Sequence, residues 1–184
     1  KYVCIGLNYR DHAQEAGLPI PLEPIIFLKA VSAVCGPDDG ILPPVGSTRL
    51  DWEVELAVII GTRAKNVARA AALDHVAGYC VANDVSERAF QMQSSQWDKG
   101  KGCDTFGPLG PWLVTRDEVP DPQNLGLWLD VNGPRMQTGH TRTMIFPVAE
   151  IIPSVRRSMT FLPGDVMSRL TSDISSAPRN IKLR

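Results

Sequence analysis

The sequence carries no excess of basic charge. Nineteen lysines and arginines stand against 20 acidic residues, a formal net charge of −1 at pH 7, and no Lys/Arg run concentrates the positive ones. A nucleic-acid or anionic-membrane partner therefore has no electrostatic footprint here. Long hydrophobic runs are missing too. The longest, Leu56 to Ile60, is far short of the ~20 residues of a membrane span. Lys1-Tyr-Val-Cys-Ile leads directly into polar Asn8-Tyr-Arg-Asp-His, which is read as the absence of a signal peptide. The four cysteines, at positions 4, 35, 80 and 103, form no C-x-x-C pair, against a zinc ribbon or a thioredoxin-like motif. Their wide spacing predicts free thiols in a reducing cytoplasm. No internal repeat, low-complexity tract or linker interrupts the chain, and 184 residues suit one domain with a proper core.

What is present is an ordinary globular mixture, 43% hydrophobic and 21% charged, punctuated by 15 glycines and 15 prolines. Helical patterns are short and strand patterns common, which predicts a mainly β domain with short helices. Tyr2–Leu7 reads as a strand. Asn8 is placed to cap a helix over Tyr9–Ala16, with Gly17 as its stop. Ile25–Leu28 is an apolar run after an extended Pro-rich stretch, and Trp52–Ile60 is a strand closed by Gly61. Ala68–Val76 reads as a short helix closed by Gly78, followed by a strand over Tyr79–Asn83. Leu125, Leu127, Leu129 and Val131 alternate into Asn132-Gly133, a strong hairpin signal. Ile145–Met159 can carry a helix on either side of Pro153, and Pro163-Gly164-Asp165 is a turn.

The richest stretch is Asp51-Trp-Glu-Val-Glu-Leu56 and its continuation to Gly61. At period 2, Glu53 and Glu55 share one face with Ala57 and Ile59, their carboxylates roughly 7 Å apart. Like charges on a partly buried face repel. A hard divalent cation that accepts both oxygens removes the cost, and a strand solvated at one end is the alternative. Asp84 ends the next strand; followed by Glu87 it fits a capping box, and it also fits as a third oxygen ligand. Carboxylates without Cys or His suit Mg²⁺, Mn²⁺ or Ca²⁺ rather than zinc. His12 and Glu15, three apart on the first helix, lie on one face. They suit either an exposed pair or a water-activating base held in one tautomer. Lys101 lies in Lys99-Gly-Lys-Gly-Cys-Asp104, either a solvated turn lysine or one whose flanking glycines allow close approach to a ligand. His75 and His140 have no such partners and read as surface or packing residues.

These pieces occur together in a familiar order. Asn8-Tyr-Arg-Asp-His-Ala13 with Glu15, Phe27-Leu-Lys29, Asp51-Trp-Glu-Val-Glu-Leu56 and Gly78-Tyr-Cys-Val-Ala-Asn-Asp-Val-Ser-Glu-Arg88 with Gln91 resemble the fumarylacetoacetate hydrolase family. The stretch from Gln96 to Val114 and that from Val131-Asn-Gly133 through Met144-Ile-Phe146 continue the likeness, which covers about residues 2 to 167. Within the family it looks closest to bacterial ureidoglycolate lyases and diketo-deoxy sugar acid hydrolases.

The resemblance implies a mixed β-roll, usually a homodimer, that holds Mg²⁺ or Mn²⁺ and acts on a small 2-oxo acid. It places the metal carboxylates on Glu53, Glu55 and Asp84, and the water-activating pair on His12 and Glu15. The active-site lysine falls on Lys101, and substrate contacts fall on Lys29, Arg88 and Gln91. The implied reaction is hydrolysis of a C–C bond in a 2,4-diketo acid. Lyase or decarboxylase chemistry on ureidoglycolate or oxaloacetate, or a non-catalytic metal-binding homologue, are the alternatives. After Val166 the likeness fails: family members continue into a T-G-T-P-x-G loop, whereas Met167–Pro178 contains no glycine, and the family's last strands are missing. That loss predicts a discontinuity between Val166 and Ala177, with at least one Cα step clearly longer than ~3.8 Å.

Overall fold

The structure, a computed structural model, describes residues 1–169 apart from Ala16 and Arg156. The discontinuity expected between Val166 and Ala177, and the loop and last strands of the family pattern, fall beyond Arg169 or run past it and so lie outside the described residues.

In chain order the elements begin with β1 (Tyr2–Gly6), α1 (Arg10–Glu15), β2 (Ile25–Lys29), β3 (Val34–Cys35), β4 (Leu50–Asp51) and β5 (Val54–Ile60). They continue with β6 (Val76–Asn83), β7 (Ser86–Glu87), α2 (Arg88–Gln91), α3 (Asp98–Lys101) and β8 (Gly107–Thr115). The last are β9 (Gly126–Asp130), β10 (Arg135–His140), α4 (Val148–Val155) and β11 (Val166–Arg169). Seven strands form one sheet in the order β2-β1-β11-β5-β6-β8-β3. The pairs β1/β11 and β3/β8 are parallel and the others antiparallel, so the sheet is mixed. The expected mainly β architecture with short helices is the one observed.

Val3 and Ile5 of β1, Val54, Leu56, Val58 and Ile60 of β5, and Met167 of β11 share the main core with one face of α4. Helix α4 presents Val148, Ile151, Ile152 and Val155 to it, the i, i+3, i+4, i+7 spacing of an apolar stripe. Each such side chain contributes roughly 1.5–3 kcal/mol on burial. Pro153 sits inside α4, near its end, where only one ladder amide is lost.

Four local expectations are corrected. Asn8 does not devote its side chain to capping α1: its Oδ1 accepts from the Phe146 amide at 2.9 Å and its Nδ2 donates to the Phe146 carbonyl at 3.1 Å, stapling the start of the helix to a distant loop. The strand expected from Trp52 begins at Val54, because side chains take the ladder's place before it. Asp51 Oδ1 accepts from the Trp52 amide at 3.0 Å, Asn83 Oδ1 from Glu53 at 3.0 Å and Gln137 Oε1 from Val54 at 2.9 Å. Arg69–His75 is a 3₁₀ helix, with a longer reach than an α-helix of the same residues; its terminal His75 carbonyl is held by the Gly61 and Thr62 amides. Gly78 lies inside β6 rather than stopping that helix. A Cβ there would stand 2.2 Å from the Val114 carbonyl oxygen, so close packing against β8 requires glycine.

The hairpin β9–β10 forms as the sequence suggests, with Asn132 at φ 55° and Gly133 at φ 101°, the left-handed pair that such a turn needs. Gly164 at φ 84° and the Asp165 amide on the Leu162 carbonyl make the expected turn. All four cysteines are free thiols. His75 meets Thr62 and His140 accepts from the Arg142 amide, peripheral roles for both. Among the described residues, no helix is long and apolar enough to cross a membrane.

Candidate metal centre

Glu53 precedes β5, Glu55 lies in its first turn of pleat, and Asp84 follows β6, which pairs with β5 through Val54↔Asn83 and Glu55↔Ala82. The Asp84 amide donates to the Glu53 carbonyl at 2.9 Å, so the end of β6 is tied to the break before β5. The result is that Glu53, Glu55 and Asp84, all buried, offer ligand oxygens within 4.8 Å of one another. Oxygens at 2.0–2.6 Å from one hard cation are at most about 4–5 Å apart, so the trio fits a single Mg²⁺-, Mn²⁺- or Ca²⁺-like ion.

Three cations surround it. Lys101 Nζ lies 2.7 Å from Glu53 Oε2 and 2.7 Å from Asp84 Oδ2. Lys29 Nζ, with a side chain wholly shielded from solvent, faces Asp84 Oδ1 at 2.5 Å and donates to the carbonyls of Val85 at 3.0 Å and of Lys101. Arg88 donates from Nη2 to Glu53 Oε1, from Nε to Asp51 Oδ2 at 3.0 Å, and from Nη1 to Gln91 Oε1 at 2.9 Å. Glu55 Oε2 and Asp84 Oδ1 are both buried with no hydrogen-bond partner, but Asp84 Oδ1 has the Lys29 ammonium within ion-pair distance, whereas no ion pair reaches Glu55 among the described residues. An orphaned carboxylate oxygen aimed into a carboxylate cluster is the feature that best fits an additional cation.

The electrostatics follow from this division. Burial pushes the Glu53 carboxyl up, but Arg88 and Lys101 outweigh it and hold the group down at about 2. Burial raises the Glu55 carboxyl well above the ordinary range, and the neighbouring Asp84 and Glu53 carboxylates add to the effect. Burial disfavours the Lys101 ammonium, yet Asp84 and Glu53 raise its pKa overall.

The sequence-selected residues therefore come together in part. Glu53, Glu55, Asp84 and Lys101 form one cluster, with Lys29 and Arg88 paired to its carboxylates and Gln91 Oε1 accepting from Arg88. His12 and Glu15 lie in α1, but their side chains fall outside the described residues, and so does their pairing. The capping box expected from Asp84 and Glu87 is not formed as such. Glu87 itself caps α2, accepting from the Ala89 amide at 3.0 Å, and also receives the amides of Thr48 and Arg49, which leaves Asp84 to the lysines. Sequence reasoning missed Asp51, which orients Arg88, and Asn83, which fixes Glu53. Their signal was present: Asp51 stands two residues before Glu53, and Asn83 directly before Asp84.

Against known proteins, residues 1–171 match the fumarylacetoacetate (FAA) hydrolase C-terminal model. The chain belongs to the fumarylacetoacetate hydrolase family. A Burkholderia ambifaria family member named "Putative hydrolase" is 62% identical over 169 residues, 91% of this chain and 60% of that protein. The chain thus spans about three-fifths of the length of the curated relatives it matches. The crystal structure of 2-hydroxyhepta-2,4-diene-1,7-dioate isomerase from Mycobacterium marinum superimposes with a TM-score of 0.83 at 40% identity, over 93% of this chain and 63% of that one. That of 5-carboxymethyl-2-hydroxymuconate delta-isomerase from Mycobacterium smegmatis gives 0.84 at 38%, over 97% and 70%. The family commonly binds divalent metals, in keeping with the acidic trio.

Proposed function

We propose that this chain carries the catalytic centre of a metal-dependent hydrolase that cleaves a C–C bond in a 2,4-diketo acid, an acylpyruvate or diketo-deoxy sugar acid. The observation that carries the reading is the convergence of Glu53, Glu55 and Asp84 within 4.8 Å, with one Glu55 oxygen left unpartnered. These residues would hold Mg²⁺ or Mn²⁺, which supplies Lewis acidity toward the carboxylate and keto oxygens of a 2-oxo acid. Lys101 meets the negative charge that develops as the C–C bond breaks. His12, oriented by Glu15, takes a proton from the water that attacks the distal carbonyl. The hydroxyl then stays with the acyl fragment, and the bonding pair passes to the pyruvate fragment and is protonated there. Arg88 and Gln91 stand at the rim for the substrate's anionic end. A homodimer in the cytoplasm is part of the same proposal.

A second reading is favoured by one observation, the isomerase names of the two structural neighbours at 38–40% identity. There the same centre carries out enolate chemistry without attack by water, as isomerase, lyase or decarboxylase. A panel of acylpyruvates, diketo-deoxy sugar acids, oxaloacetate and ureidoglycolate, assayed with Mg²⁺ and with Mn²⁺, separates the two by product. Incorporation of ¹⁸O from water into the acyl product is expected for the hydrolase. Turnover without that label refutes it in favour of the second reading, and no turnover on any substrate favours a non-catalytic metal-binding protein.

A further inference from the structure

The two buried lysines of the centre are surrounded differently. An ammonium carries three N–H donors. Lys29 has three oxygens around it, Asp84 Oδ1 and the carbonyls of Val85 and Lys101. Lys101 has only two among the described residues, Glu53 Oε2 and Asp84 Oδ2, each at 2.7 Å. An aromatic face stands on its third side: Nζ lies over the Phe27 ring, 5.3 Å from its centre. That ring is held in place. Phe27 pairs with Cys4, and Lys29 with Tyr2, across β2 and β1, so Phe27 and Lys29 project from the same face of the sheet. Trp97 packs edge-on against Phe27, with ring centres 5.5 Å apart and planes at 63°. Trp97 in turn fills the space beside Gly6, where a Cβ would stand 2.5 Å from its Cζ3. The Leu28 amide donates to Asp98 Oδ1 at 3.2 Å, which ties β2 to the first residue of α3, the helix that ends at Lys101.

We propose that Phe27 is a positioning residue for the reaction: its ring face, braced by Trp97, fixes the Lys101 ammonium where negative charge develops on the substrate. This inference rests on the role given to Lys101 above. A cation is drawn to the negative face of an aromatic ring, more strongly where both are shielded from water, and Lys101 is buried. Two carboxylate bonds leave an ammonium on a flexible stem free to swing about the line between them, and the ring supplies the third restraint. The ring also holds more weakly than an oxygen acceptor. The third N–H of Lys101 can therefore turn to a substrate oxygen as charge builds there. Lys29, enclosed by three oxygens, has no donor to lend, which is why the two lysines divide into a reacting one and a structural one.

The test replaces Phe27 in the full chain by pentafluorophenylalanine, which nearly keeps the shape of the ring and reverses the charge of its face. On whichever substrate of the panel the parent turns over, kcat is expected to fall at least about tenfold with KM within about twofold. Phe27→Tyr, which keeps the π face, is expected to retain kcat within about threefold. In ¹⁵N-lysine ammonium spectra the fluorinated ring is expected to shift the Lys101 resonance, identified by its loss in Lys101→Arg, and to leave that of Lys29 in place. An unchanged kcat, a raised KM with kcat kept, or an unmoved Lys101 signal overturns the inference and leaves the proposed function standing. A parent that turns over no substrate refutes the reading of Lys101 itself, and this inference with it. Should the pentafluoro chain not fold, rings with one and two fluorines are read in the same way: a stepwise fall in kcat supports the restraint, and a flat series overturns it.

Discussion

Replacing Lys29 by methionine isolates what the buried ammonium contributes. Methionine nearly matches the lysine stem in volume, so the change removes charge and donors with little cavity. Asp84 Oδ1 loses its ion-pair partner, and the Val85 and Lys101 carbonyls each lose a donor. Breaking a buried ion pair by deleting one member costs about 3–5 kcal/mol. Here Asp84 keeps Lys101 on its other oxygen, which favours the lower half of that range, while the loss of a donor to two carbonyls returns the total to its middle. About 4 kcal/mol is the expected loss. At ~2–4 °C per kcal/mol for a chain of this size, the Tm falls by roughly 8–16 °C in thermal unfolding followed by circular dichroism at pH 7. Because the pair is shielded from solvent, the deficit persists in 0.5 M salt, unlike that of a surface pair. A Tm within about 2 °C of the parent would refute the buried-anchor account and return Lys29 to a role that matters only when substrate binds.

The two glutamates are expected to respond to pH with opposite sign. Glu53 is held at about 2 against an unfolded value of ~4.3, so its stabilisation is present above that value and drains away as pH falls toward 2, about 3 kcal/mol in all; Glu53→Gln should flatten that part of a urea-midpoint profile, and an unchanged profile refutes the assignment. Glu55 is raised, so its contribution is full below the unfolded value and is lost as pH rises toward the folded one. Glu55→Gln should therefore raise the metal-free Tm at pH 7 while abolishing Mn²⁺ binding by calorimetry, and a lowered Tm contradicts the reasoning. Gly100→Ala places a Cβ 2.5 Å from the Glu87 carbonyl oxygen and 2.6 Å from the Gln91 amide, which pushes α3 off α2 and costs about 1–3 kcal/mol; a chemical-denaturation midpoint equal to the parent's counts against that packing. His12→Ala should lower turnover by about 10²–10⁴ and leave Mn²⁺ affinity nearly unchanged, and full activity on the substrate panel argues for the reading without water attack.

The acidic trio was legible because β-strand period is short-range information. Glu53 and Glu55 share a face by alternation, and Asp84 closes the neighbouring strand. The Asn132-Gly133 hairpin was legible for the same reason, since its φ values are a property of two residues. What the sequence concealed was long-range. Nothing local in Asn8 says that its amide is engaged by Phe146 rather than by its own helix. Gly78 looks like a helix stop until Val114 is known to lie against it. The saturation of Lys29 likewise depends on Val85 and Lys101 arriving from elsewhere in the chain. The family resemblance supplied the roles of His12, Glu15, Arg88 and Gln91, which residue spacing alone left open.

The place of β11 has a consequence for how the molecule is made. Val166–Arg169 lies between β1 and β5, in parallel register with the first strand of the chain, Tyr2 facing Val166 and Ile5 facing Arg169. Among the described strands β11 alone joins β2–β1 to β5–β6–β8–β3, so without it each part has an open edge. Joining them closes a loop of nearly the whole described chain, the kind of distant pairing that slows folding. In the interval both edges are exposed to pairing with a neighbouring chain. Closure of the sheet among the described strands thus waits on one short strand that seals two halves, and a chaperone that shields open edges would act before that strand pairs.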